Sequence, residues 1–126
     1  MLHPTGADQN FHAGWVATLC DRGYVCCTLD LRYHGARVDG AISYQEAIAK
    51  SFTDESFKER PFLLDNVFDI QHVLDVLEER PDVGKIGVTG LSLGGMVCWL
   101  LVGIGLELEL EHELKVELTV ELELDI

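Results

Sequence analysis

Lys85-Ile86-Gly87-Val88-Thr89-Gly90-Leu91-Ser92-Leu93-Gly94-Gly95 is a short apolar run that breaks into a Gly-x-Ser-x-Gly turn, and Met96-Val97-Cys98-Trp99-Leu100-Leu101 continues it as a second apolar run. The order reads as strand, sharp turn, helix. A serine on a strained strand-to-helix turn needs neighbours without side chains two positions to either side, so that its oxygen stands clear. Gly90 and Gly94 meet that need. Ser92 would then stand at a helix start, where unpaired backbone N–H groups such as that of Leu93 point at negative charge forming on a substrate oxygen. The bare pattern would arise by chance among 12 glycines. Its flanking strand and helix, and its extension by Gly95, make it a candidate nucleophile elbow.

Outward from this stretch, 126 residues suffice for one domain with a modest core, although the chain is short for a serine hydrolase. The net charge of −13 is unevenly spread, with 14 acids and 8 bases in residues 1–105 and 8 acids and 1 base in residues 106–126. Without a Lys/Arg cluster to offset it, this balance repels phosphate backbones and anionic lipid surfaces, which excludes nucleic-acid binding as a primary role. The longest apolar run, Met96 to Leu106, is too short to span a bilayer, and no basic, apolar leader opens the sequence. Cys20, Cys26, Cys27 and Cys98 lack zinc-ligand spacing and read as free thiols in a reducing, cytoplasmic setting.

In chain order, Pro4 and Gly6 mark a loop, and Phe11, Trp15 and Leu19 recur at helical spacing, predicting a helix from about Asn10 to Arg22 that Gly23 stops. Tyr24 to Leu29 is a continuous β-prone run, the kind buried on both faces of a parallel sheet. Ser43 and Glu46 have capping-box spacing and predict a short helix through Lys50; residues 51 to 60 are polar and uninformative. Leu63, Val67, Ile70, Leu74 and Leu77 lay one apolar stripe along a helix from about Phe62 to Arg80. With the strand before Ser92 and the helix after it, which Gly103 and Gly105 are expected to end, the alternation predicts an α/β layer architecture with parallel strands.

From Leu106 to Ile126 every even position is apolar except His112, and every odd position is acidic except Lys115 and Thr119. One strand of that length would extend about 70 Å, and no turn residue divides it. The stretch reads as a solvated low-complexity tail, or as a non-homologous end left by a frameshift or repeat expansion. Two parts are therefore expected: a partial α/β domain over 1–105 and an acidic tail over 106–126.

The motifs Leu2-His3-Pro4-Thr5-Gly6, Asp21-Arg22-Gly23-Tyr24, Asp30-Leu31-Arg32-Tyr33-His34-Gly35 and the Ser92 stretch, in that order, resemble the α/β-hydrolase superfamily over residues 1 to about 99. The resemblance is to its dienelactone-hydrolase and prolyl-oligopeptidase-like branch. It implies an incomplete α/β-hydrolase fold and a serine hydrolase of ester, thioester or amide bonds, with Ser92 as nucleophile and a small-molecule ester or peptide-like substrate. It further implies an oxyanion hole from the Leu93 N–H and a donor in the His3 to Gly6 loop. Pro4 has no N–H, so Thr5 is the candidate.

The resemblance also places a strand leading into His3 between the Tyr24 to Leu29 and Lys85 to Thr89 strands. Only Met1 and Leu2 represent it, and the alternating tail is the one spare β-prone segment. After Ser92 the only Asp is Asp125 and the only His is His112, in the wrong order for the family's triad, so neither receives a triad role. The competing expectation is a non-catalytic truncated fragment or binding protein that retains part of the fold.

Among the remaining histidines, His3, His12, His34 and His72 form no ligand pattern and read as structural or surface groups. His34 is the best placed, on a loop after a strand. Asp30 and Arg32 are expected to fix that loop by pairing. Cys26 and Cys27 read as two buried thiols pointing to opposite faces. No Walker loop, Rossmann glycine pattern or EF-hand occurs, so neither metal nor cofactor is implied.

Overall fold

The computed structural model describes residues 1–38, 40–53, 60–108 and 117–118. In order it has α1 (Ala13–Cys20), a 3-10 turn (Gly35–Arg37), α2 (Tyr44–Thr53), α3 (Phe62–Glu78), β1 (Gly87–Val88), α4 (Leu93–Leu108) and β2 (Glu117–Leu118). Positions 54–59 and the tail residues 109–116 and 119–126 lie outside the described residues, and with them most of what the alternating pattern was read to mean.

The parallel-sheet α/β fold expected from the sequence is corrected here. The described residues are mostly helical, and the only strand ladder among them is a two-residue parallel pair, Gly87 opposite Glu117 and Val88 opposite Leu118. Residues 24–28 make no ladder, and the predicted strand at 85–89 contracts to two residues. β-branched and aromatic residues favour strands only where neighbouring strands take up their backbone groups. Apart from the Glu117–Leu118 pair on β1, the neighbour that the two segments share is Leu2, bridged in parallel to Leu29 on one side and Gly90 on the other. Its N–H donates to the Thr89 carbonyl at 2.8 Å, and its carbonyl accepts the Leu91 N–H at 3.2 Å. Pairing one residue deep holds the segments together without making a sheet.

The helices follow local signals more closely. Ser43 and Glu46 cap α2 reciprocally: the Ser43 N–H and hydroxyl donate to Glu46 Oε2 at 2.6 and 2.8 Å, and the Glu46 N–H donates to Ser43 Oγ at 3.2 Å. α1 ends in a Schellman closure, with Tyr24 N–H on the Leu19 carbonyl, Gly23 N–H on that of Cys20, and Gly23 at φ 89°. The stripe on α3 turns Val67 and Ile70 fully inward, where they pack with Leu93, Val97, Cys98 and Leu101 of α4 and with Leu2, Leu31 and Val88. Burial in this core pushes the Cys98 thiol up to about 11, which keeps it protonated and inert.

α4 does not stop at Gly103 and Gly105 but runs to Leu108. α1 also departs from expectation. None of its residues is buried, and the face carrying Trp15 and Leu19 borders a cavity instead of the core.

Candidate active site

The turn between β1 and α4 carries the geometry that the glycine spacing demanded. Ser92 sits at φ 51°, the left-handed region that costs a side-chain-bearing residue about 1–2 kcal/mol. Such strain survives only where the surroundings over-determine it. A Cβ on Gly90 would fall on the Gly94 carbonyl, and one on Gly94 would fall on the Leu2 backbone. Only glycine lets β1, the start of α4 and Leu2 approach this closely. Ser92 itself is exposed, and Leu93, the first residue of α4, is buried. Among the described residues the Leu93 N–H has no acceptor, as expected for a first-turn donor, so it remains available to a developing negative charge.

The structure thus brings Gly90, Ser92, Leu93 and Gly94 together. It sets Thr5 on an adjoining loop, in a turn closed by the Ala7 N–H on the Pro4 carbonyl at 3.2 Å. Thr5 N–H has no acceptor among the described residues, while its hydroxyl donates to Tyr44 Oη at 3.4 Å. No hydrogen bond joins Thr5 to Ser92 or Leu93 among the described residues. The loop nonetheless leaves directly from Leu2, whose backbone touches the turn.

Three histidines are structural in their contacts. His3 is fully buried. Its Nε2 accepts the Leu31 N–H at 3.0 Å, which leaves the proton on Nδ1 to donate to the Pro4 carbonyl at 2.8 Å. His12 Nε2 donates to the Leu2 carbonyl at 3.0 Å, so it helps to fix the residue against which Gly94 packs. His34 Nδ1 donates to the Arg32 carbonyl at 3.0 Å, and the ring lies 5.2 Å from His3 and 5.0 Å from Tyr44. Among the described residues no histidine or carboxylate is hydrogen-bonded to Ser92 Oγ.

The loop after residue 29 is anchored by charge. Asp30 accepts the Gln9 N–H at 2.6 Å and the Ala36 N–H at 2.8 Å, joining the loops on either side of α1. Arg32 forks onto Asp69 of α3 at 2.9 and 3.0 Å and reaches Asp65 at 3.1 Å. The fork to Arg32 holds the Asp69 carboxyl below the usual carboxylate range, against the opposing effect of its burial. The pairing role expected of Asp30 and Arg32 is therefore met, with partners on α3 and at Gln9 that spacing could not name. Among the described residues no group of three or more His, Cys, Asp or Glu could hold a metal ion, and no helix is long and apolar enough to cross a membrane.

Comparison with protein-family models, with curated proteins and with solved structures found no match for this chain.

The strain at Ser92 has a direct test. Ser92→Gly is expected to be more stable than Ser92→Ala by about 1 kcal/mol, because alanine must also adopt the left-handed conformation. Urea midpoints measured side by side check this. Equal midpoints would mean that residue 92 is unstrained.

Proposed function

We propose that the chain is a serine hydrolase in which Ser92 attacks the carbonyl carbon of an ester, thioester or amide in a small-molecule or peptide-like substrate. The observation that carries this reading is the exposed serine at φ 51°, wedged between two glycines and followed by a helix-start N–H that has no acceptor among the described residues. The strained turn presents Oγ, and the Leu93 N–H would donate to the oxyanion as the carbonyl carbon becomes tetrahedral. The Thr5 N–H, on the loop leaving Leu2, is the proposed second donor. The setting in this reading is cytoplasmic, supported by four cysteines that are free thiols.

A second reading is favoured by one specific observation. Activation of Ser92 requires a base to take its proton, and none of the described histidines is hydrogen-bonded to it. On this reading the chain is a non-catalytic binding protein built on the same turn.

A fluorophosphonate probe separates the two, because covalent capture requires an activated serine. The hydrolase reading expects near-stoichiometric labelling of the wild-type chain and none of Ser92→Ala. A folded wild-type chain that stays unlabelled after prolonged exposure supports the binding-protein reading and overturns the hydrolase.

A further inference from the structure

α1 ends at Cys20, and the chain then doubles back to bring Cys26 beside it, so that the two thiols are hydrogen-bonded to each other. We propose that Cys20 and Cys26 are a redox-reversible pair, which a low-molecular-weight disulfide of the glutathione class closes to a disulfide that braces α1 against residues 24–26.

The juxtaposition is built by the backbone. The Gly23 N–H donates to the Cys20 carbonyl at 2.9 Å and the Tyr24 N–H to the Leu19 carbonyl at 3.1 Å, with Gly23 at φ 89°, so the chain reverses directly after the helix. Leu19 and Cys26 then line the same cavity, which keeps the end of α1 facing the returning segment. Hydrogen-bonded thiols already stand side by side, and only a short approach separates them from an S–S bond of about 2.05 Å.

Access sets the order of the chemistry. Cys20 is exposed, Cys26 is half-buried and Cys98 lies in the core, so a dissolved disulfide meets Cys20 first. The Cys20 thiolate attacks one sulfur of that molecule, forms a mixed disulfide and releases one thiolate. Cys26, on giving up its proton, attacks Cys20 Sγ and releases the second. The two protons that the protein loses end on the two released thiols, and the two electrons have reduced the small disulfide. An exposed bridge of this kind is open to the reverse exchange, so an excess of reducing thiol restores the pair.

The bridge has a mechanical consequence. No residue of α1 is buried, so packing contributes little to holding this helix. Among the described residues it is tied by the turn at Gly23 and, at its other end, by His12 Nε2 donating to the Leu2 carbonyl at 3.0 Å. A covalent bond from Cys20 to Cys26 closes a short ring at the turn end and limits opening there.

The test uses the full wild-type chain, equilibrated in glutathione buffers from reduced to oxidised, then unfolded, alkylated and digested with trypsin. Cleavage after Arg22 separates the two cysteines. The oxidised sample is expected to yield peptide 1–22 disulfide-linked to peptide 23–32, with fragmentation placing the bond at Cys26 and with Cys27 and Cys98 alkylated. Dithiothreitol should return all four cysteines to alkylatable thiols. Amides in the last turn of α1 should exchange at least about tenfold more slowly in the oxidised chain than in the reduced one. Cys27→Ser should form the same link, whereas Cys26→Ser should stop at the mixed disulfide on Cys20. A wild-type chain that itself stops at the mixed disulfide, a bond at Cys27, or a link between two chains would overturn the pair. Unchanged exchange across α1 in the bridged chain would overturn the brace.

Discussion

Gly94→Ala is expected to lower the melting temperature by about 12 °C and to abolish fluorophosphonate labelling. The added methyl would coincide with the carbonyl and Cβ of Leu2. That carbonyl cannot withdraw easily, because it accepts both the Leu91 N–H at 3.2 Å and His12 Nε2–H at 3.0 Å. α4 cannot withdraw either, since backing away would expose Leu93 and Val97, both buried in the core. Overpacking against a fixed backbone costs about 3 kcal/mol. At about 4 °C per kcal/mol for a chain of this size, that is the shift quoted. Gly103→Ala, with no atom near its added methyl and a mid-helix position on α4, should instead gain about 1 kcal/mol from helix propensity. Thermal melts of the two variants check both signs. A Gly94→Ala melt within about 2 °C of wild type would mean that Leu2 and the turn are not in contact.

That contrast shows which parts of this molecule could be read from sequence. The turn at Gly90, Ser92 and Gly94 was legible because its requirement is local: one residue must turn left-handed, and side chains two positions away must be absent. α3 was legible for a similar reason, since a stripe at steps of three and four records which face turns inward. The α2 cap was legible because both halves of the box lie within four residues.

Segments whose state depends on distant partners were not legible. Residues 24–28 have the composition of a buried strand, yet a strand exists only where another segment takes up its hydrogen bonds, and among the described residues only the Leu19 carbonyl on Tyr24 N–H and the Met1 terminus on the Cys27 carbonyl do so. The stripe on α1 signalled an apolar face but not whether that face meets a core or a cavity. Gly103 and Gly105 signalled a helix end that the otherwise apolar α4 overrides. The roles of His3 and His12 depended on backbone groups 28 and 10 residues away, which no spacing rule connects.

The second large effect is expected at Asp30, whose carboxylate is almost wholly buried. Burial alone would raise its pKa. The Ala36 and Gln9 N–H groups, with His3 and Arg37 nearby, outweigh that and hold it below the ordinary carboxylate range. A folded-state pKa depressed in this way contributes stability that is present above the unfolded value of about 3.9 and is lost as pH falls through the folded value. Asp30→Ala removes the acceptor of two charge-assisted bonds, each worth at least about 1.5 kcal/mol, so a loss of about 3 kcal/mol is expected at pH 7. The variant's stability should also fall less steeply than that of wild type below about pH 4. The same change frees Gln9 from the loop after residue 29, and with it the far end of the loop carrying Thr5. Labelling at Ser92 should therefore slow in Asp30→Ala even where the protein remains folded. Urea titrations between pH 3 and 7 measure the first effect, and the labelling rate at pH 7 measures the second. Parallel pH profiles for the two proteins would show that Asp30 is not the anchor described.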